Sequence, residues 1–350
     1  MNYQNLIIQL DATILGALKQ MDANKRKLLL VFNKDKFNSL LSIGDIQRAI
    51  IRNYALDAPV KNILRKEIKI AFEDEDINDI KARMLQYRTE CMPLVDRNGT
   101  LKNVLFWDDV FGSDLKRKDS KLDIPVVIMA GGQGTRLQPI TNVLPKPLIP
   151  LGRKTIIEEI IDNFTQVGCT CFYISVNYKA EMIKHYFSSL EHSYSIDFFQ
   201  EDQPLGTAGS LYLLKNKIHS TFFVSNCDII IDQDPEDIYR FHIENKNALT
   251  IVSALKHYKI PYGTLTSSDG RLLASIDEKP ELTFQINSGL YILEPEILQL
   301  IPEKKFYHIT DLINDLLNTE KRVGVFPVSE GAWRDIGDWK MYLKNVGKEL

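Results

Sequence analysis

Residues 126–152 read VVIMAGGQGTRLQPITNVLPKPLIPLG. Five apolar residues run directly into a glycine cluster, and two basic residues, Arg136 and Lys146, follow ten positions apart. A short apolar run bounded by proline and glycine predicts a strand buried on both faces. The loop after it suits a phosphate. Gly131, Gly132 and Gly134 let the backbone come close, so that its N–H groups, with that of Thr135, can converge on an anion. Arg136 adds a fork of donors for non-bridging phosphate oxygens. The prolines of P-K-P (145–147) fix the backbone around Lys146 and deliver its ammonium to a defined place.

The loop is not a Walker A loop, because no G-K-[ST] follows, and the third glycine of G-x-G-x-x-G is missing. Working outward, TIIEEIIDNFTQVG (155–168) predicts a helix ending at Gly168, CFYISV (171–176) a strand and KAEMIKHYFSSL (179–190) a helix. TFFVSN (221–226) predicts a strand, PEDIYRFHIENK (235–246) a helix and ALTIVSAL (248–255) a strand. This alternation argues an α/β fold with a mostly parallel sheet, whose ligands gather beyond the carboxyl ends of the strands.

With 350 residues the chain is long enough for two domains, and 44% hydrophobic with 25% charged residues is an ordinary globular mix. The net charge of −3 gives no reason to expect nucleic acid or an anionic membrane as partner. No apolar run reaches membrane-span length. The start, MNYQNLIIQLDATILG, has an early Asp11 and no basic segment with a cleavage site, so no signal peptide is expected. Cys91, Cys169, Cys171 and Cys227 form no C-x-x-C, and no histidine pair has metal-ligand spacing. Reduced thiols and a cytoplasmic location are expected.

A shift of 64 residues lays LLVFNKDKFNSLLSIGDI (29–46) over PLVDRNGTLKNVLFWDDV (93–110) without a gap. Each copy reads strand, turn, strand, then a helix beginning at an aspartate, Asp45 or Asp109, and a helical pattern precedes each: TILGALKQM (13–21) and INDIKARML (77–85). This tandem β-β-α repeat, about residues 1–115, resembles a pair of CBS modules. In that family a Ser or Thr three residues before an Asp marks a nucleotide site, with the hydroxyl on phosphate and the carboxylate on ribose. Ser42 and Asp45 fit, and the resemblance implies a regulatory nucleotide there. The second copy has Phe106 in place of the hydroxyl, so one site looks intact and one degraded. An aspartate at a helix start is otherwise an N-cap, and the pair could serve packing or oligomerisation instead. The charged stretch SDLKRKDSKLD (113–123) reads as a solvated linker. The expected division is a CBS pair over 1–118 (repeats about 8–60 and 61–118), a linker at 119–123 and a catalytic domain over 124–350.

G-G-x-G-T-R-L followed ten residues later by P-K-P resembles the signature of the sugar-1-phosphate nucleotidyltransferases, or NDP-sugar pyrophosphorylases, and the resemblance spans roughly 124–350. It implies a Rossmann-like domain in which a sugar-1-phosphate oxygen attacks the α-phosphorus of a nucleoside triphosphate and pyrophosphate leaves in line. Such a reaction needs cations and a divalent metal more than a base. By this resemblance Arg136 lies over the triphosphate, Lys146 reaches the reacting phosphates, and Lys279 of D-E-K-P (277–280) holds the sugar phosphate. Mg²⁺ takes only one or two carboxylates beside phosphates and water. The family draws them from Asp228 in FFVSNCDII (222–230) and Asp335 in WRDIGDW (333–339), with Asp232 and Asp338 close enough to confuse the assignment.

In QEDQPLGTAGSL (200–211) the resemblance assigns Glu201, Gly206 and Thr207 to the nucleotide, with Gly206 letting the base approach. L-G-T-A-G resembles guanylyltransferases more than uridylyl or thymidylyl enzymes, which favours GTP. Tyr262, Gly263, Glu278, Asn287 and Gly289 fall to the sugar pocket, with a tight turn as the alternative for Tyr262-Gly263 and for Asn287. Only residues 340–350 follow WRDIGDW, so no C-terminal β-helix domain is expected. A CBS pair ahead of a short nucleotidyltransferase resembles the glucosamine-1-phosphate guanylyltransferases of bacterial legionaminic acid biosynthesis, and a homo-oligomer is expected. Mannose- or heptose-1-phosphate guanylyltransferases and uridylyl or thymidylyl enzymes are alternatives. Glycosyltransferases share the fold but lack both motifs, and a non-catalytic nucleotide sensor would not need every charged position present here.

Overall fold

The computed structural model describes residues 3–24, 26–65, 67–87, 91–106, 122–268 and 272–346. The chain divides into two units, Met1–Asp119 and Ser120–Leu350.

In the first unit the repeat is visible in the strand pairing. β1 (Ile7–Gln9) runs parallel to β2 (Leu28–Asn33), which pairs antiparallel with β3 (Lys36–Ser42); β4 (Ala71–Phe72), β5 (Cys91–Val95) and β6 (Leu101–Phe106) do the same. Ile7 faces Leu30 and Ala71 faces Leu94, so the parallel register repeats at the sequence shift. The hairpin register slips by one residue, because Asn33 and Lys36 close a tight turn in the first copy while Val95 and Leu101 close a longer one in the second. Helices α1 (Ile14–Asn24), α2 (Ile43–Ile51) and α3 (Ile77–Tyr87) bury apolar stripes, with Ile14, Leu18 and Met21 against the first sheet and Ile80 and Met84 against the second. α2 does not begin at its aspartate. Ser42 is the N-cap and Asp45 sits three residues in, closing a capping box. Asp109, like most of the charged linker, lies outside the described residues.

The second unit is built on the predicted parallel sheet. Its strands are β7 (Val126–Met129), β10 (Cys171–Val176), β11 (Ser195–Gln200), β12 (Phe222–Asn226), β14 (Leu249–Lys259), β17 (Glu281–Leu293) and β18 (Val323–Val328), in the order β11-β10-β7-β12-β17-β14-β18. Only β17 runs against the rest. β7 is continuously apolar because both its faces are covered: Val126 and Ile128 enter one core, Val127 the other. Helices α4 (Ile156–Thr165) and α5 (Ala180–Ser188) pack on the first side, and α4 opens on a Thr155–Glu158 capping box. On that side also lies α7 (Pro235–Glu244); the short α6 (Gly206–Gly209) and α8 (Ile309–Asn318) cover the other.

Three small ribbons complete the unit. β8 (Pro150–Leu151) pairs with β9 (Lys154–Thr155), β13 (Ile229–Ile231) with β19 (Trp333–Asp335), and β15 (Thr264–Ser268) with β16 (Leu272–Asp277). β12 pairs with β17 only up to Ser225 and Leu290, and β18 with β14 only up to Val328 and Ala254, so Leu255–Lys259 of β14 and Glu281–Gln285 of β17 continue together past the carboxyl edge of the sheet. The last described element is α9 (Trp339–Asn345).

Candidate active site

At the carboxyl edge, the loop after β7 meets the turn after β12. Gly134 adopts φ +65° and a Cβ there would lie 2.9 Å from Thr141 Cγ2 and 3.0 Å from Lys146 Cβ, so glycine lets the loop fold down onto the lysine. Thr141 Oγ1 donates to the Gly134 carbonyl at 3.0 Å, Tyr178 Oη to the Thr141 carbonyl at 3.1 Å, and Lys179 Nζ to the carbonyls of Asn142 and Val143 at 2.6 and 2.7 Å. The loop is thus fixed although it has no strand partner. Nothing lies within 4 Å of a Cβ at Gly132, whose side of the loop is open.

Lys146 is buried, and its Nζ lies 2.6 Å from Asp228 Oδ2; Arg136 Nη2 is 3.8 Å from the same oxygen. The β13–β19 ribbon brings Asp335 to this place: Ile229 faces Asp335 in register, and the Ile336 N–H donates to the Asp228 carbonyl at 2.8 Å. Asp335 Oδ1 accepts from the Gly337 N–H at 2.6 Å. A Cβ on Gly337 would lie 2.7 Å from that oxygen and 3.1 Å from both terminal nitrogens of Arg136, so the guanidinium rests against the Asp335 turn. Burial pushes the Asp335 carboxyl above its ordinary pKa; the Gly337 N–H opposes this, the Asp228 charge reinforces it, and Lys146 and Arg136 pull back. Burial, with the Asp228 charge, also pushes the Cys227 thiol up to about 12, so it stays protonated and inert.

Arg136, Lys146, Asp228 and Asp335, taken from two loops and a ribbon, therefore form one cluster. Asp338 is separate from it: its Oδ1 caps α9 by accepting from the Met341 N–H at 2.9 Å. Asp232 follows the ribbon, its N–H donating to the Ala332 carbonyl at 2.7 Å.

The pattern of the nucleotidyl transferase family matches residues 125–349, and that of the CBS domain matches residues 60–114. The chain belongs to the nucleotidyl transferase family. Mannose-1-phosphate guanyltransferase 2 of Candida glabrata is 34% identical over 233 residues, 64% of each chain. Mannose-1-phosphate guanyltransferase of Saccharomyces cerevisiae is 34% identical over 229 residues, 63% of each chain, so these matches span less than two thirds of the relatives. A Bacillus anthracis structure, named for a glucose-1-phosphate thymidylyltransferase, shares the fold at 23% identity and a TM-score of 0.51, over 64% of this chain and 94% of that one.

In this nucleotidyl transferase the L-G-T-A-G segment is clasped from behind by residues 304–309. The N–H groups of Ala208 and Gly209 donate to the Tyr307 carbonyl, Tyr307 N–H donates to Leu205, and Ile309 N–H donates to Thr207 Oγ1 at 3.0 Å. Gly206, at φ +81°, would place a Cβ 2.7 Å from the Tyr307 carbonyl, and Gly209 one 2.7 Å from the Lys305 carbonyl. Both glycines are thus required by this crossing backbone. Glu201 accepts from Ser175 Oγ at 3.2 Å and from the Leu205 N–H at 2.7 Å, so its carboxylate holds the loop from beneath.

The remaining sugar-pocket candidates lie on β17 (Asn287 and Gly289) and on the connection between β14 and β17 that carries the β15–β16 ribbon. Gly263 abuts Glu278, whose Oε2 would sit 2.9 Å from an added Cβ; Tyr262 is exposed; and Lys279 adopts φ +49°. No described hydrogen bond or ion pair joins these four to the Lys146–Asp228 cluster. Asn287 Oδ1 accepts from the Gly289 N–H at 3.1 Å, and Gly289, at φ +88°, would place a Cβ 2.6 Å from Asn226 Nδ2. That contact links them to the Asp228 turn.

Asn226, Gly337, Tyr178 and Lys179 are site residues that sequence reasoning missed. Gly337, inside the quoted WRDIGDW, and Asn226, inside FFVSNCDII, were within reach; Tyr178 and Lys179 carry no motif of their own.

Asp228 and Asp335 are hard-oxygen donors of the kind Mg²⁺ prefers. No cluster of three or more His, Cys, Asp or Glu among the described residues could hold a metal. Two carboxylates completed by phosphate oxygens and water fit Mg²⁺.

In the first unit, Ser42 and Asp45 are fully engaged by protein. Asp45 Oδ2 accepts from Ser42 N–H at 2.8 Å, Ser42 Oγ at 2.7 Å and Arg65 Nη2 at 2.6 Å; Oδ1 accepts from Arg65 Nε at 3.2 Å and from Arg48. Arg65 Nη2 also donates to Ser42 Oγ at 2.7 Å. Burial pushes the Asp45 carboxyl up, but the bonds from Arg65 and Ser42 outweigh it and hold the pKa below its ordinary value.

Proposed function

We propose that the chain transfers the nucleoside monophosphate of GTP to a sugar-1-phosphate and releases pyrophosphate. The observation behind this reading is the cluster at the sheet edge, where two cations on a glycine-rich loop meet one carboxylate in the turn after β12 and one on the β13–β19 ribbon. Reactive phosphates need that combination of positioning and charge. Before substrate binds, Asp228 holds the Lys146 ammonium; an arriving phosphate takes it over. Arg136, more exposed and resting on the Gly337 turn, stabilises the charge that collects on departing pyrophosphate. Mg²⁺ at Asp228 and Asp335, when bound, neutralises phosphate oxygens. Glu201 and residues 304–309 shape the loop that receives the base, with Gly131, Gly132, Gly134 and Thr135 covering the triphosphate. Lys279, Tyr262, Gly263, Glu278, Asn287 and Gly289 fall to the sugar phosphate.

GTP is favoured by L-G-T-A-G and by the names of the relatives. Those names put mannose-1-phosphate ahead of glucosamine-1-phosphate, which the domain order alone favoured. The test is pyrophosphate release with GTP, UTP, CTP, ATP and dTTP crossed against mannose-, glucosamine-, glucose- and N-acetylglucosamine-1-phosphate. Turnover with GTP and mannose-1-phosphate supports the reading; turnover confined to UTP or dTTP overturns the base assignment.

For the first unit the saturated Asp45 favours assembly over nucleotide sensing, since a ribose at this carboxylate would have to displace Arg65.

A further inference from the structure

Helix α9 leaves the Asp335 turn and returns to the loop that carries both cations. Trp339 Nε1 donates to the Gln138 carbonyl at 2.6 Å, and Tyr342 Oη donates to the Pro150 carbonyl at 2.9 Å. Gln138 stands two residues after Arg136, and Pro150 four after Lys146. The two rings pack edge to face with centroids 5.9 Å apart. At its other side α9 is tied to the Asp335 turn, where Asn345 Nδ2 donates to the Asp335 carbonyl at 3.3 Å. One short helix therefore connects the cation loop with the turn that carries Asp335.

We propose that Trp339 and Tyr342 are positioning residues that set the spacing of Arg136 and Lys146 from Asp335; this rests on the nucleotidyl-transfer reading. The loop from Gly134 to Leu144 is a series of short turns without a sheet partner. Tyr178 and Lys179 hold its far part by the carbonyls of residues 141–143, while Trp339 holds the part next to Arg136. Without Trp339 the guanidinium keeps its rest against Gly337 and its 3.8 Å approach to Asp228, but the backbone two residues on loses its tie to α9. Catalytic groups must be placed to within about 0.5 Å, and a misplacement of about 1 Å can cost roughly a hundredfold in rate.

Trp339→Phe keeps a ring and removes the N–H; Tyr342→Phe removes only the hydroxyl. For each we expect a KM for GTP raised about fivefold, a kcat reduced about tenfold, an unchanged KM for the sugar-1-phosphate and more Mg²⁺ needed for half-maximal rate. A merely structural role would lower the active fraction and leave both KM values alone. Calorimetric titration of Mg·GTP into the full chain gives a readout that needs no turnover. If wild type binds Mg·GTP but releases no pyrophosphate, the activity reading fails while the titration still judges the helix. Wild-type GTP affinity and KM in both variants, with kcat falling only as far as the folded fraction, overturns the proposal.

Discussion

Lys146→Met replaces a buried ammonium with an uncharged side chain of similar length. The lysine side chain is 8% exposed and that of Asp228 17%, with 2.6 Å between the charged atoms. At an effective dielectric of about 20, unit charges at that distance attract by about 6 kcal/mol. Desolvation of both groups offsets most of this. The substitution leaves Asp228 largely buried with Arg136, 3.8 Å away, as its remaining counter-charge. A wholly buried pair broken on one side costs about 3–5 kcal/mol; with Arg136 and some solvent still available to Asp228, we expect about 2–3 kcal/mol. Thermal unfolding should then shift down by roughly 4–12 °C for a unit of this size. Asp228→Asn should cost a similar amount, and the double variant should recover at least about 1 kcal/mol relative to the sum. Pyrophosphate release should fall by about 10²–10³ in kcat for Lys146→Met. The assay is thermal unfolding by circular dichroism of wild type, both single variants and the double. A loss below about 0.5 kcal/mol in Lys146→Met, or strict additivity, would refute the pairing.

Gly206→Ala places a Cβ 2.7 Å from the Tyr307 carbonyl at a left-handed φ; about 2–4 kcal/mol of stability should be lost, with a raised KM for GTP, and an unchanged melting temperature would contradict the clasp. His242 is buried between Thr250 Oγ1 at 2.8 Å and Glu294 Oε1 at 2.9 Å. Burial holds its pKa below the ordinary value against the opposing pull of Glu294. Below about pH 6.5 the unfolded chain therefore binds a proton that the folded chain resists, so stability falls with pH until the lower folded pKa is passed. Melting temperatures at pH 7 and 5.5 should differ more for wild type than for His242→Gln, and equal differences would exclude this histidine as a cause. Arg65→Ala strips two hydrogen bonds from Asp45 and one from Ser42. We expect about 1 kcal/mol of lost stability, since Arg65 is partly exposed, and no ATP binding to the wild-type full chain by calorimetry; tight wild-type binding abolished by Asp45→Ala would contradict the closed reading.

What was legible in the sequence was local. β7, β10, β12 and their helices follow from continuous apolar runs and helical spacing, and the glycine loop with P-K-P locates the cations. The 64-residue repeat anticipates the β2–β3 and β5–β6 hairpins; β1 and β4, which pair parallel with them at matching offsets, are too short to show a strand pattern of their own. The hairpin slip depends on turn length, which the gapless overlay conceals. The β13–β19 ribbon was not legible: three isoleucines and W-R-D carry no periodicity that pairs them across the sheet. Gly206 looked like room for a base because its partner, Tyr307, arrives from a distant segment. Asp45 read as a cap or a ribose ligand because Arg65, twenty residues on, gave no sign that it would return to it. The α9 contacts span 201 and 192 residues and have no local signal.

If the Lys146–Asp228–Asp335 cluster joins a nucleotide to a sugar phosphate, both substrates must be consumed together. Phosphorus NMR of the full chain with GTP, Mg²⁺ and mannose- or glucosamine-1-phosphate follows both substrates and both products at once. Pyrophosphate and a GDP-sugar should appear in equal amounts as GTP and the sugar phosphate disappear, with neither seen in Asp228→Ala. GTP consumed to GDP and phosphate with the sugar-1-phosphate untouched would contradict this.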